Sequence, residues 1–88
     1  WSVTPFARDR ERMTGNDLSN VDDQIDAFNQ VNFEVSQSAG VHYVDVTPIS
    51  RQAADTPSLI AGDGLHPSGE MYAEWVKSAY PIVLEILK

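Results

Sequence analysis

Two side chains with the spacing of a general-base pair lie in the last third of the chain. Asp63 precedes His66 by three residues, in a segment rich in glycine and followed by proline. A carboxylate can accept the Nδ1 proton of a histidine, which fixes the tautomer and stabilises the imidazolium. The other ring nitrogen is then free to take a proton from a nucleophile. Aspartate and glycine are also common turn residues, so a plain turn is the alternative interpretation.

The residues around this pair favour a tightly held loop. Gly62 and Gly64 permit turns that bulkier residues resist. Pro67 restricts His66 to extended backbone conformations. Ser68 has the residue type that caps a helix, so the loop is expected to end where a helix begins.

A metal site is a weaker interpretation of the same region. Asp63 and His66, together with His42 and Asp45, include residue types that bind zinc or manganese. Their spacing matches no standard site, and His42 is better explained as a packed or surface residue.

Three elements must position the pair. The apolar stripe of residues 19–39 predicts a helix that is capped by Ser19 or Asn20 and ends at Gly40. Residues 41–46 are rich in β-branched and aromatic side chains and predict a strand. A second amphipathic helix is expected from Pro67 or Ser68 to the end, kinked or broken at Pro81. The stripe of the first helix and the wide apolar face of the second are expected to be core: Val21, Ile25, Phe28, Val31, Val35, Ala39, Tyr72, Trp75, Val76, Ala79, Val83, Ile86 and Leu87.

The remaining segments have weaker patterns. Residues 1–18 predict mostly loop after a possible strand end at residues 1–4, and the arginines at positions 8, 10 and 12 are expected to face solvent. A short helical turn is expected near residues 49–54. The order of elements predicts an α/β fold with helix, strand, loop and helix. A lone strand leaves both of its edges unpaired, so the parallel sheet is expected to be incomplete.

The segment from His42 to Met71 resembles the C-terminal part of the SGNH (GDSL-like) hydrolase family. Its Val-Asp-Val strand is followed by Asp-Gly-Leu-His-Pro-Ser-Gly-Glu-Met-Tyr and then by an amphipathic helix, the order found in that family. The resemblance covers about residues 21–88 and implies the C-terminal portion of a three-layer α/β/α fold. Residues 1–88 would then be a C-terminal fragment of one such domain, and the start at Trp1 rather than methionine fits that expectation.

The resemblance implies a serine ester hydrolase that works without metal or organic cofactor. His66 matches the catalytic histidine of the family and Asp63 its orienting aspartate. The family's substrates are small esters of carbohydrates or lipids, or other acyl esters. The remainder of the domain would be the partner of this segment.

The other catalytic parts of the family have no convincing match here. The Gly-Asp-Ser nucleophile block is missing, since Gly62-Asp63-Gly64 has glycine in place of serine. Gly15-Asn16-Asp17 resembles the family's Gly-x-Asn-Asp block, whose asparagine forms part of the oxyanion hole, but it lacks the residue between glycine and asparagine. A turn is therefore the better interpretation of Asn16. Ser50, Ser58 and Ser68 do not lie in a strained strand-to-helix elbow, so none is expected to be the nucleophile.

Composition limits the remaining classes. The 88 residues carry 13 acidic and 6 basic side chains, a net charge of −7, and no cysteine. This balance argues against a nucleic-acid partner, which needs a basic surface, and no apolar run approaches the roughly 20 residues that span a bilayer. The missing cysteines exclude a disulfide scaffold and thiolate zinc sites within this sequence, but they do not define a compartment.

Two alternatives to the hydrolase remain open. The first is a non-catalytic, acidic α/β interaction module or truncated remnant that pairs through open sheet edges. The second is a metal-dependent hydrolase that uses Asp63 and His66 as ligands.

Overall fold

The structure, a computed structural model, describes residues 4–16 and 20–88, and within them it is all-α. The helices are α1 (Pro5–Thr14), α2 (Val21–Ala39), α3 (Thr47–Arg51) and α4 (Gly69–Ile86). Two 3₁₀ turns, Gln52–Ala54 and Pro57–Leu59, connect α3 to the loop before α4.

The predicted α/β fold, and with it the α/β/α layering and the incomplete parallel sheet, is wrong for the described residues. Residues 41–46 form no strand, and the one pairing between backbone segments is an isolated bridge between Ile60 and Pro67. A strand is defined by its hydrogen bonds to a neighbour. No described segment provides that neighbour for residues 41–46. Of the strand end expected at residues 1–4, residues 1–3 lie outside the described residues.

Helix α1 replaces the loop predicted for residues 1–18. The side chain of Thr4 accepts a hydrogen bond from the amide of Ala7 at 3.1 Å, and Pro5 occupies the first helical position. Gly15 ends the helix with a φ of 70°. Threonine as cap, proline at the first position and glycine after the end are favourable signals for both ends of a helix.

The other helix boundaries agree better with the predictions. Helix α2 ends at Gly40, which has a φ of 70°, and α4 begins after Ser68, whose hydroxyl accepts from the amide of Met71 at 3.3 Å. Asn20 precedes α2 but makes no side-chain cap, and Ser19 lies outside the described residues. Helix α4 is not broken, because it continues through Pro81 to Ile86.

The core is small and lies where α3, the 3₁₀ turns and the start of α4 meet. Ala53, Leu59 and Met71 are buried, and Trp75 packs partly buried against them. The Trp75 indole also donates to the hydroxyl of Ser50 at 3.1 Å, which ties α4 to α3.

The predicted core faces of α2 and α4 are largely open. No residue of α2 is buried, and Phe28 is 77% exposed. The chain exposes 6297 Å², whereas a compact protein of 9.7 kDa exposes about 5,100 Å². The expectation that these stripes form a core is therefore wrong for most of their residues. Trp75 does pack against the core, and Val21, Ile25 and Ala79 are partly buried. None of the described helices has the length and hydropathy needed to cross a membrane.

Candidate functional site

The site loop, residues 61–66, is closed at its base by backbone pairing. Ile60 and Pro67 form an antiparallel bridge, and the amide of Ala61 donates to the carbonyl of His66 at 2.8 Å. These contacts bring the two ends of the loop together. The loop is thereby held as a compact turn directly before α4.

Asp63 and His66 are in direct contact inside this loop. One carboxylate oxygen of Asp63, Oδ1, accepts the amides of Leu65 and His66, each at 2.9 Å. The other oxygen, Oδ2, accepts a hydrogen bond from Nδ1 of the His66 ring. The turn carries the His66 ring back onto the Asp63 carboxylate, so the contact that the spacing of three residues predicts is present.

Hydrogen bonding keeps Asp63 ionised. The backbone amide of His66, then its imidazole and then the amide of Leu65 hold the pKa of the Asp63 carboxyl well below its ordinary value of 3.8. An ionised carboxylate at Nδ1 leaves the proton on that nitrogen. The Nε2 nitrogen of His66 is then the basic one when the ring is neutral.

Nε2 of His66 is accessible. The side chain of His66 is 70% exposed and that of Asp63 50% exposed. Among the described residues, no group forms a hydrogen bond with Nε2. A pair this exposed contributes little to stability because water screens it.

Helix α1 supports the loop from the side. The amide of Phe6 donates to the carbonyl of Gly64 at 3.1 Å. Gly64 has a φ of 75°, and a Cβ atom at this position would lie 3.4 Å from Cβ of Pro5. The left-handed backbone confirms the predicted tight turn at Gly64, whereas Gly62 has no positive φ. Sequence reasoning missed the contact with α1, because nothing in the local pattern links Phe6 to Gly64.

A cleft of about 400 Å³ lies between α1 and the loop. Asp63 lines it, and the rest of its lining is mostly apolar: Pro5, Arg8, Ala53, Ala54, Pro57, Ile60, Ala61, Gly62 and Gly64. The cleft reaches the carboxylate side of the pair, since His66 is not part of its lining. It is therefore not at the nitrogen that would handle the reacting proton.

In the described residues none of the three candidate serines forms a hydrogen bond with the His66 ring. Ser50 donates to the carbonyl of Val46 at 2.8 Å and accepts from the indole of Trp75. Ser58 donates to Glu70 at 2.6 Å, and Ser68 donates to the carbonyl of Ser58 at 2.7 Å. Each hydroxyl serves a local structural bond instead.

The remaining candidates form no hydrogen bond with the pair in the described residues. Asn16 follows the end of α1 and its amide donates to the Thr14 hydroxyl at 3.3 Å. Asp45 accepts the amide of Thr47 at 3.0 Å just before α3, and His42 is exposed. Within residues 4–16 and 20–88 no three acidic, histidine or cysteine side chains gather as a metal site would require.

A larger groove, of about 580 Å³, lies between α2 and residues 43–51. Most of its polar side chains have partners within the chain. Arg51 pairs with Asp26 at 2.9 Å, and Asn29 donates to the hydroxyl of Thr47 at 2.8 Å. These bonds anchor α2 to α3, so the groove is explained as structure rather than as a site.

Comparisons with protein-family models, with curated proteins and with solved structures found no match for this chain.

Proposed function

We propose that this chain carries the histidine and aspartate of a serine ester hydrolase of the SGNH type. The observation that supports the proposal is the contact between Asp63 Oδ2 and Nδ1 of His66, with Nε2 exposed. The Asp-Gly-Leu-His-Pro-Ser-Gly sequence, which resembles that family, supports the same roles.

His66 is the general base and then the general acid. Its Nε2 takes the proton of a serine hydroxyl as the serine oxygen attacks the ester carbonyl. The bond to the alcohol then breaks, and His66 returns the proton to the leaving alkoxide. A water molecule then gives a proton to His66 and attacks the acyl carbonyl. The bond to the serine oxygen breaks, His66 returns the proton to that oxygen, and the carboxylic acid is released. Asp63 keeps Nδ1 protonated and stabilises the imidazolium formed in each step.

The nucleophile belongs to a segment outside these 88 residues in this proposal. Ser50, Ser58 and Ser68 are engaged in other hydrogen bonds, and the sequence has no Gly-Asp-Ser block. The remainder of the hydrolase domain is then the partner that supplies the serine and the oxyanion hole. The substrate is a small ester of a carbohydrate or lipid, or another acyl ester.

A fluorophosphonate probe tests this proposal, because it labels only an activated serine. The 88-residue chain should remain unlabelled, and a longer product of the same gene that contains the Gly-Asp-Ser block should be labelled. Labelling of the 88-residue chain would contradict the assignment of an external nucleophile. Absence of labelling in the longer product would contradict the hydrolase itself.

The two histidines of the chain provide a matched control. In the longer product, His66→Ala should lower kcat for an aryl ester on the order of 10²- to 10⁴-fold, the range for loss of a general base. His42→Ala should leave kcat unchanged, since His42 is exposed and lies outside the site loop. Equal losses in the two variants would show that the effect is not specific to the pair.

The metal-dependent alternative makes a different prediction. Asp63 and His66 offer two donors, and the described residues add no third one nearby. A chelator should leave the activity of the longer product unchanged. Loss of activity with chelator, and its recovery with zinc or manganese, would favour the metal-dependent reaction.

The non-catalytic alternative is an interaction module. Sheet edges cannot serve it within the described residues, which contain no sheet, but the open apolar face of α2 favours some association. Size-exclusion chromatography of the 88-residue chain separates the cases. A stable, cooperatively folding monomer would contradict a need for a partner.

A further inference from the structure

A single peptide unit connects α1 to the Asp63–His66 pair. The peptide between Gly64 and Leu65 has its carbonyl oxygen bonded to the amide of Phe6 at 3.1 Å. The N–H of the same unit, on Leu65, donates to Oδ1 of Asp63 at 2.9 Å. Because a peptide unit is planar and its C=O and N–H point in opposite directions, fixing one end fixes the other.

We infer that Phe6, through its backbone amide, is a positioning residue for the Asp63–His66 pair. It orients the Gly64–Leu65 peptide so that the Leu65 amide holds the Asp63 carboxylate against His66. The importance of the positioning for catalysis rests on the function proposed above, whereas the positioning itself can be measured without catalysis.

The neighbouring contacts show that α1 orients the loop at this peptide unit. The amide of Gly64 donates to the carbonyl of Ala61 at 3.0 Å, which fixes the preceding peptide from within the loop. The next peptide is fixed by the amide of His66 on Asp63. The Gly64–Leu65 unit between them has its carbonyl bonded to α1, so its orientation depends on that helix.

The position of Phe6 near the start of α1 explains why its amide bonds to a group outside the helix. Phe6 is the second residue of the helix, and the first amides of a helix have no partner within the helix. The amide of Ala7 donates to the hydroxyl of Thr4, and the amide of Phe6 donates to the loop at the carbonyl of Gly64. Bonds in such a chain also polarise one another, which strengthens the donation to Asp63.

In the described residues, His66 and Arg8 are titratable or charged groups beside the Asp63 carboxylate. His66 contacts it from the loop itself, and Arg8 of α1 lines the same cleft as Asp63. A variant that tests the positioning must therefore leave Arg8 and His66 in place. Phe6→Pro meets this condition, because proline lacks the amide hydrogen and is tolerated in the first turn of a helix.

The test is an NMR titration of the Asp63 carboxyl in the 88-residue chain, combined with amide hydrogen exchange. In Phe6→Pro, the pKa of Asp63 should rise part of the way toward 3.8, since the bonds from His66 remain. The Leu65 amide should exchange about fivefold faster, as expected for the loss of one hydrogen bond. Phe6→Ala keeps the amide and removes the ring, so both quantities should match those of the parent chain.

Each outcome decides the inference. An unchanged Asp63 titration and Leu65 exchange in Phe6→Pro would overturn it, because the bond from the amide of residue 6 to Gly64 is absent in that variant whether or not circular dichroism shows that α1 has melted. An equal shift in Phe6→Ala would assign the effect to the ring instead of the amide. Failure of the fluorophosphonate test would leave this result untouched, so the two proposals fail separately.

Discussion

His66 binds the carboxylate of Asp63 at both oxygens, through its backbone amide at Oδ1 and through its ring at Oδ2. Two bonds from one residue fix the rotation of the carboxylate as well as its distance. The ring is therefore held in one orientation although it is exposed. The pair is organised by the loop backbone and does not depend on burial.

Removing the charge of Asp63 should weaken the hydrogen bonds that hold the loop. In Asp63→Asn the amides of Leu65 and His66 donate to a neutral oxygen, and bonds to an ionised acceptor are roughly twice as strong. We expect about tenfold faster hydrogen exchange at these two amides. Asp55→Asn, in a different exposed loop, should leave their exchange unchanged. Equal exchange in the parent chain and Asp63→Asn would show that the carboxylate charge does not hold the loop.

The loop should keep its structure down to strongly acidic pH. The folded pKa of Asp63 is lowered, so its ionised form favours the folded loop. This contribution is fully present above the ordinary pKa of 3.8 and is lost as the pH falls through the lowered pKa. The chemical shifts of the Leu65 and His66 amides, followed as a function of pH, should show this transition below 3.8. An Asp63-linked transition above that value would contradict the assigned hydrogen bonds.

The small core should make the chain sensitive to one methionine. Met71 is 2% exposed and packs with Ala53 and Leu59. Met71→Ala should lower the free energy of unfolding by about 2–4 kcal/mol, as expected for a large-to-small change in a core. Urea denaturation followed by tryptophan fluorescence measures the loss. Met13→Ala removes the same side chain at a site 77% exposed and should change stability by less than about 0.5 kcal/mol.

The start of α1 should depend on the hydroxyl of Thr4. Thr4 is 4% exposed and its hydroxyl accepts from the amide of Ala7. Thr4→Ala should cost about 1 kcal/mol of helix stability through the loss of the cap. Thr4→Ser keeps the hydroxyl and should retain most of that stability. Circular dichroism and hydrogen exchange at the Ala7 amide report the difference. An equal loss of helix stability in both variants would show that the methyl group matters and the hydroxyl does not.

Local chemistry explains which features could be predicted from sequence. Gly40 after α2, Ser68 before α4 and the turn at Asp63 depend on residues within four positions of one another, so the sequence pattern contains their cause. Thr4 and Pro5 carry equally local information. The strand end predicted at residues 1–4 includes Thr4, although threonine before proline is also a favourable start for a helix.

The other incorrect predictions concern contacts between distant segments. Residues 41–46 have the composition of a strand, but a strand also needs a neighbour, which composition does not supply. The stripe containing Phe28 has helical periodicity, and periodicity does not say what covers the helix. The bond between Phe6 and Gly64 has no local signature at all.

The bond between Phe6 and Gly64 also imposes an order of events during protein synthesis. Helix α1 emerges from the ribosome before the site loop, at roughly 5–20 residues per second, so several seconds pass before Gly64 is available. During that interval α1 depends on its own cap and its own helical bonds. A nascent chain stalled before Gly64 would therefore hold α1 undocked, and the geometry at Asp63 would be completed only when the second half of the sequence folds back onto the first.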